Sequence, residues 1–498
     1  MSAQLAQAEN KTTENLHAGV PTLTAKQSPL VQSLLANKEK LLQAVQVLPE
    51  GHIHVVLPQQ MKQNIAEMRQ IFGEYGIEPR IFVSHKPSKS NALIKQARAE
   101  NTGLDVSSKN ELISALKNGF SGQNICCTGS KNDDYITLSI QHGCLHSVDS
   151  IEELERYIKA CEKIAPQEKR NVLLRINSAD APYGGKISRF GIPMCDLEAC
   201  YNLLKENPNV NLDGFHMHSG ESDGDLRAEE LDFLLTLFKD AYEQGFSPKT
   251  IDVGGSLLKN IYEKIEECEA FVDHLSDALK NNKETYTWRR YGYSIAAGNQ
   301  NRVSGREGLM GFFKLDDYGP CVKKMMNVQT LYSRTSHQTL LECVFTLALE
   351  PGVSAYDQCG IILFKIVDTR FNNKGEHMTV LDGNVFNLSF NITEQMADPV
   401  LLTEDEDASE TFSTYLVGNL CTDFDIMVKR KVVLKGKPKA GDYLCFINTA
   451  GYTADFHDAP VHQHPMGQKI VAISAQDGWR FMSEDRFNPY LIEEGSIL

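Results

Sequence analysis

From His52 onward the chain alternates short β-branched or apolar runs with amphipathic stretches, and this beat limits the available folds more than any other feature. HIHVVLP is followed by KQNIAEMRQIFGEYG, RIFVSHK by SNALIKQARAEN, and GLDVSS by NELISALKNGF. Short apolar runs suit strands, and the apolar spacing of the stretches between them suits helices that cover those strands. The alternation continues through NICCTG, LHSVDS with its helix IEELERYIKACEKI, NVLLRIN, LDGFHMHSG, TIDVGG and FTLALEPG. Repeated βα units with about eight strands predict an α/β protein built on a closed, TIM-like (β/α)8 barrel.

After Gly352 the pattern changes to strand-like runs without long helices between them: GIILFKIVDTR, HMTVLDGNVFNLSF, FSTYLVGNLC, KRKVVLKG, DYLCFINT and QKIVAIS. A second, largely β domain follows from this. The expected layout is a mobile tail over 1–28, rich in Gln, Asn, Thr and Ala, a barrel over 29–355 and a C-terminal β domain over 356–498. The segment 283–338 is longer than one helix needs, and its WRRYGY run, Trp288 to Tyr293, suggests a lid or substrate-facing insert. The acidic stretch TEDEDASE, 403–410, reads as a solvated loop.

The net charge of −15 repels phosphate backbones and anionic lipid, and no dense Lys/Arg block offsets it, so neither nucleic acid nor a membrane surface is an expected partner. No stretch approaches the length of an apolar membrane span, and the N-terminus lacks a basic cap followed by an apolar run. The twelve cysteines form no CxxC pair and read as reduced core residues of a cytoplasmic protein. His216 with His218, or His462 with His464, lack a third ligand at recognisable spacing, so no metal is expected.

Barrels of this kind build their active sites at the C-terminal ends of their strands. The residues at those ends here are Lys86, Asp105 with Glu111, His218, Gly254 with Gly255, and Glu350 with Gly352. Each has an ordinary explanation by itself. A strand-end lysine usually snorkels to solvent, Asp105 and Glu111 could be a helix cap and a first-turn acid, and paired glycines usually make a turn.

Taken together and in order, the motifs resemble the fold-type III pyridoxal-phosphate decarboxylases, the group of ornithine, diaminopimelate and D-ornithine/lysine decarboxylases, of which this chain looks like a divergent member. The resemblance runs from about residue 50 to 465. VSHKPSKS resembles the strand-borne lysine motif that carries the cofactor, and DVSSKNE, beginning 19 residues after Lys86, the strand that follows it. LLRIN, with Arg175, and SRFGIP match the family's next arginine and Lys-Phe-Gly segments. GFHMHSG resembles the strand whose second histidine, here His218, stacks on the cofactor ring. IDVGG resembles the phosphate loop, and LEPG carries the glutamate, Glu350, that faces the pyridine nitrogen. In the second domain GNLCTDFD and NTAGYTADF resemble the motifs of the catalytic cysteine and of a tyrosine that reaches the phosphate.

The resemblance implies pyridoxal 5′-phosphate held as a Schiff base on Lys86, with Asp105, Glu111, Arg175, His218, Gly254, Gly255, Ser256, Glu350, Gly352 and Tyr452 around it. A lysine amine at a protected strand end can form an imine with an aldehyde, and glycine lets backbone amides approach a phosphate closely. It further implies an amino-acid decarboxylase in which Cys421 of the partner subunit protonates the carbanion left when carbon dioxide departs. Thr422 and Asp425 would then touch substrate, and a homodimer would be required. A racemase or epimerase on the same plan, or a non-catalytic regulatory homologue, are the competing readings. The sequence departs from the family at Val353, where an arginine is usual, at Ser256, which ends the glycine run, and at Thr422, which replaces an acid. It departs also at Glu221, in a place where serine often meets the phosphate, with Arg189 as a local compensating charge.

Overall fold

The computed structural model describes residues 19–182, 184–298, 303–313, 317–388, 396–404 and 410–493. Its strands are β1 (Ile53–Val56), β2 (Arg80–Ser84), β3 (Gly103–Val106), β4 (Ile125–Cys127), β5 (Leu145–Val148), β6 (Arg170–Arg175), β7 (Val210–His216) and β8 (Thr250–Asp252). Two short strands, β9 (Ala296–Ala297) and β10 (Val303–Ser304), precede β11 (Thr346–Leu349). Then come β12 (Gly360–Phe371), β13 (His377–Leu381), β14 (Val400–Leu402), β15 (Thr411–Val417), β16 (Ile426–Lys435), β17 (Tyr443–Ile447), β18 (Gln468–Ala475) and β19 (Gly478–Ser483). The chain forms two compact units.

The first unit comprises Met61–Lys259, Asp316–Tyr356 and Asn488–Leu498. Its strands close a parallel barrel in the order β11-β2-β3-β4-β5-β6-β7-β8. Phe82, Cys126, Leu145, Leu173 and Ala348, from five of these strands, form one buried cluster. Polar residues after the strands start the outer helices. Ser90, Ser108, Asn132 and Ser150 accept the backbone N–H of Leu93, Glu111, Tyr135 and Glu153, a cap worth about 1 kcal/mol each. The helix Gly224–Glu243 is capped by Asp223 in the same way. Short, capped connections leave strand-end side chains little freedom to wander.

The second unit contains the described part of Met1–Gln60, with Asn260–Leu315 and Asp357–Phe487. Its main sheet has nine strands, with the path β16-β15-β13-β12-β1-β18-β19, while β17 pairs β12 and β14. Strand β12 serves three neighbours because its first half lies between β1 and β17 while Ile366–Phe371 pair β13. Ile53, Val55, Leu363, Ile447 and Ile470 from this sheet pack with Leu34, Leu41 and Phe271 from helices.

HIHVV, with the same apolar pattern as the barrel strands, is the exception to the expected order. It forms β1, antiparallel to β12 and parallel to β18, and takes no part in the barrel. The described part of the expected tail is built into the fold. Residues 1–18 lie outside the described residues, but Leu23 is fully buried, Lys26 N–H donates to Ile261 O, and Ser28 caps the helix Pro29–Ala36.

The segment 283–338 is divided between the units. Trp288 meets Tyr415 edge-on at 5.3 Å and Thr287 bridges to Arg430, which fastens the aromatic run into the sheet unit. The helices Tyr318–Asn327 and Ser336–Glu342 belong to the barrel unit. Most of the acidic stretch 403–410 lies outside the described residues. All twelve cysteines are free thiols, and no described helix is long and apolar enough to cross a membrane.

Candidate active site

Lys86 lies two residues beyond β2, whose end is fastened from both sides. Ser84 N–H donates to Pro351 O at 3.1 Å, Tyr356 Oη–H to Ser84 O at 2.8 Å, and Ser84 Oγ–H to Asp105 Oδ2 at 3.0 Å. The lysine does not run out to solvent. Its Nζ is 3.6 Å from Asp105 Oδ2, and its side chain is only 36% exposed.

Asp105 is no helix cap: it sits within β3, fully buried, and accepts Thr128 Oγ1–H at 2.5 Å, while Ser108 caps the next helix. Glu111 does occupy the first turn of that helix, where its Oε2 accepts Ser107 N–H at 2.7 Å. Burial raises its pKa to about 7, with Asp105 adding to the rise and Ser107 and Lys86 opposing it.

The barrel strands also bring together a set of groups of which the motifs marked only Glu350. Glu350, Asp252 and Cys126 are all buried, with ligand atoms within 4.8 Å of one another. Burial, reinforced by Asp105 and Asp252, lifts Glu350 well above the ordinary carboxylate range. Asp252 rises to about 7, chiefly through burial, against the pull of the Gly254 N–H. Glu350 Oε1, Asp252 Oδ2 and His216 Nε2 are buried without a hydrogen-bond partner. Leaving such atoms unmatched costs about 1–3 kcal/mol apiece. A buried carboxyl biased toward its neutral form, with an unmatched oxygen, suits an aromatic nitrogen base placed against it, so this set fits the pyridine ring of pyridoxal phosphate.

The glycine loop differs from expectation in its donors. Gly254 N–H already donates to Asp252 Oδ1 at 2.8 Å, and Gly255 N–H to His218 Nδ1 at 3.0 Å. The two glycines therefore contribute space and shape, while their amides organise the loop. Gly254 has φ +66°, and a Cβ there would lie 2.5 Å from His218 Nδ1. Ser256 shares the left-handed conformation at φ +62°. Desolvation and the charge of Lys86 hold His218 down to about 3, so its ring is neutral. Behind the loop the fully buried Arg227 donates to Val253 O at 2.6 Å and to Gly255 O at 3.3 Å, and pairs with Glu230.

Glu221 is compensated by Lys186 at 2.7 Å, whereas Arg189 lies over the Phe190 ring at 3.9 Å. Arg175 stacks on the same ring at 4.6 Å and stands 3.5 Å from Asp149 Oδ1. Gly352 O accepts Ala355 N–H, and Val353 opens the one-turn helix Val353–Tyr356.

Cys421, Thr422, Asp425 and Tyr452 belong to the sheet unit. Cys421 and Thr422 are exposed on the loop joining β15 to β16. Asp425 is buried, and both its oxygens are committed: Oδ1 accepts Val385 N–H at 2.8 Å and Oδ2 accepts Leu420 N–H at 2.7 Å. It shapes the loop that presents Cys421. Tyr452 has φ +61° and stands edge-on to Phe456.

The pyridoxal binding domain of the pyridoxal-dependent decarboxylases matches residues 59–289, and the C-terminal sheet domain of the same family matches 179–450. An uncharacterized protein of Sinorhizobium fredii, y4yA, is 26% identical over 86% of this chain and 88% of its own length. Diaminopimelate decarboxylase of Bacteroides thetaiotaomicron is 23% identical over 74% of this chain and 83% of its own. Among solved structures, the Helicobacter pylori diaminopimelate decarboxylase complexed with L-lysine aligns at TM-score 0.64 and 17% identity, covering 92% of this chain and 99% of that one. This likeness is one of fold.

Proposed function

The chain belongs to the pyridoxal-dependent decarboxylase family, a carboxy-lyase that works on an amino acid with pyridoxal phosphate, and from that premise we propose that Lys86 holds the cofactor and Cys421 delivers the proton that completes the reaction. The observation that carries the reading is Glu350, a buried carboxyl pushed by burial toward its neutral form with one oxygen unmatched, within the charge field of a lysine that is turned toward Asp105. When bound, pyridoxal phosphate supplies the sink for the electron pair left on Cα as carbon dioxide departs.

The residues of this chain do the rest. Lys86 would hold the cofactor through its amine, with Asp105 orienting the ammonium form. Glu350 would share its proton with the pyridine nitrogen, and the neutral His218, pinned by Gly255, would lie against the ring. Asp252, Gly254 and Arg227 set the shape of the phosphate end, and Arg175 contributes positive charge to the same mouth. Cys421 would act as the general acid, with Asp425 as the positioning residue of its loop. Its exposure on the sheet unit agrees with a site completed by a second copy of the chain in a homodimer.

Thr422 offers no charge to a distal ammonium, and the neighbouring Asp423 faces Arg289 at 3.4 Å. The substrate panel should therefore include diaminopimelate, named for the relatives, together with other L- and D-amino acids bearing carboxylated distal ends.

The test is spectroscopic first. The purified enzyme should show visible or near-ultraviolet cofactor absorbance that borohydride bleaches and that Lys86→Ala lacks. Carbon dioxide release over the panel should fall about 10²- to 10⁴-fold in Cys421→Ala with the absorbance retained. Loss of optical rotation without gas release would replace this reading with a racemase.

A further inference from the structure

We propose that His52, His54 and Asp458 bind one divalent transition-metal cation within the sheet unit, zinc being the best match. His54 lies in β1 and His52 directly precedes the strand in extended backbone, its carbonyl accepting Gln468 N–H, so the two rings, two residues apart, share one face. Both are buried, at 1% and 2% exposure, with ring centroids 5.0 Å apart. Asp458 Oδ1 stands 3.3 Å from His52 Nε2, and the three potential ligand atoms lie within 4.8 Å of one another. Two imidazoles and a carboxylate with a fourth position left for water make a familiar zinc donor set.

Three further observations point to an occupant. Neither ring nitrogen of His54 has a hydrogen-bond partner, nor does His52 Nε2 meet hydrogen-bond geometry. A charged His52–Asp458 pair would satisfy His52 and leave both nitrogens of His54 unmatched, at about 1–3 kcal/mol each. The carboxylate is held in place from outside: Gly467 N–H donates to Oδ2 and Asn387 Nδ2–H to Oδ1, each at 2.9 Å. The phenyl ring of Phe364 stacks on His52 at 5.6 Å and 19°, fixing that ring as well.

Gly467 supplies the space. A Cβ at this position would lie 2.4 Å from His54 Nε2 and 2.6 Å from His52 Nε2. Glycine at this position is therefore what lets both imidazole nitrogens converge against the backbone beside Asp458. Lys469, whose charge is felt at His54, is paired with Asp455 at 2.6 Å, which offsets its repulsion of a second positive charge. A metal here would tie β1 to the segment that carries Tyr452 and Asp458, and so hold the C-terminal part of the sheet unit to its first strand.

The experiment uses the holoenzyme. Metal analysis after dialysis should find about one zinc per chain, and protein stripped by a chelator should take up zinc at one site by titration calorimetry, with a rise in melting temperature. Cobalt replacement should give the visible d–d absorption of a tetrahedral nitrogen–oxygen site. Asp458→Asn should abolish that spectrum, and Gly467→Ala, which removes no ligand, should weaken zinc binding roughly 10- to 100-fold. Lys86→Ala and Glu350→Gln should leave it unchanged, which separates this site from the cofactor's. Stoichiometric zinc retained in both Asp458→Asn and Gly467→Ala, or no zinc uptake by the wild-type enzyme, would overturn the proposal.

Discussion

Asp252 carries no motif signal of its own beyond standing before two glycines, yet it is central to the electrostatics of the barrel mouth. Its pKa near 7 and the raised value of Glu350 mean that the folded chain holds protons that the unfolded chain has released at the same pH. Stability then falls as pH rises from the ordinary carboxylate range through about 7, the reverse of a salt-bridged acid. Cofactor-free protein is expected to melt progressively lower between pH about 5 and about 8, and Asp252→Asn to flatten that slope by a few degrees. The amide keeps the acceptor for Gly254 N–H and removes the charge. Parallel melting profiles for the two proteins would refute this account. Lys86 and Glu350 stand out in the sequence because each closes a short apolar run. Lys186 beside Glu221 and Arg227 behind Gly255 were not, because each depends on a partner that only the folded chain supplies.

Loops between strand and helix are the elements in which this barrel stores its specific geometry. The turn after β8 combines a left-handed Gly254 with a contact to His218 that no side chain could share. Gly254→Ala is expected to combine backbone strain of about 1–3 kcal/mol with displacement of the histidine. Cofactor affinity, followed by absorbance titration, should fall roughly tenfold to a hundredfold with an unchanged far-ultraviolet circular dichroism spectrum. Unchanged affinity would remove the loop from the cofactor site. The barrel strands themselves were plain from their apolar runs, and β12, β13, β15, β16, β17 and β18 from their strand-like composition. The partner of each strand was not. HIHVV has the pattern of a barrel strand, but periodicity reports which face is buried and says nothing of which neighbour covers it, and β1 pairs β12 and β18. β19, with Trp479 and Arg480 in a mixed run, gave too weak an alternation to be marked.

At the level of the whole molecule the two units are woven from the chain in turns, the sheet unit drawing on Met1–Gln60, Asn260–Leu315 and Asp357–Phe487. A boundary drawn at one change of pattern, near residue 355, could not reveal this, because a helix or strand pattern does not report which unit the element packs into. The proposed homodimer makes its own prediction. Mixing inactive Lys86→Ala and Cys421→Ala proteins should restore up to roughly a quarter of full turnover through hybrid dimers with one intact site. No recovery after demonstrated subunit exchange would rule out a shared site. The position of β1 also has a consequence for biosynthesis. Its hydrogen-bonding edges wait for β12 on one side and for β18, among the last strands to be made, on the other. At about 5–20 residues per second, the ribosome leaves this strand with an open edge for on the order of 20–80 s, so the nascent chain needs shielding while its own closing strand is still being written.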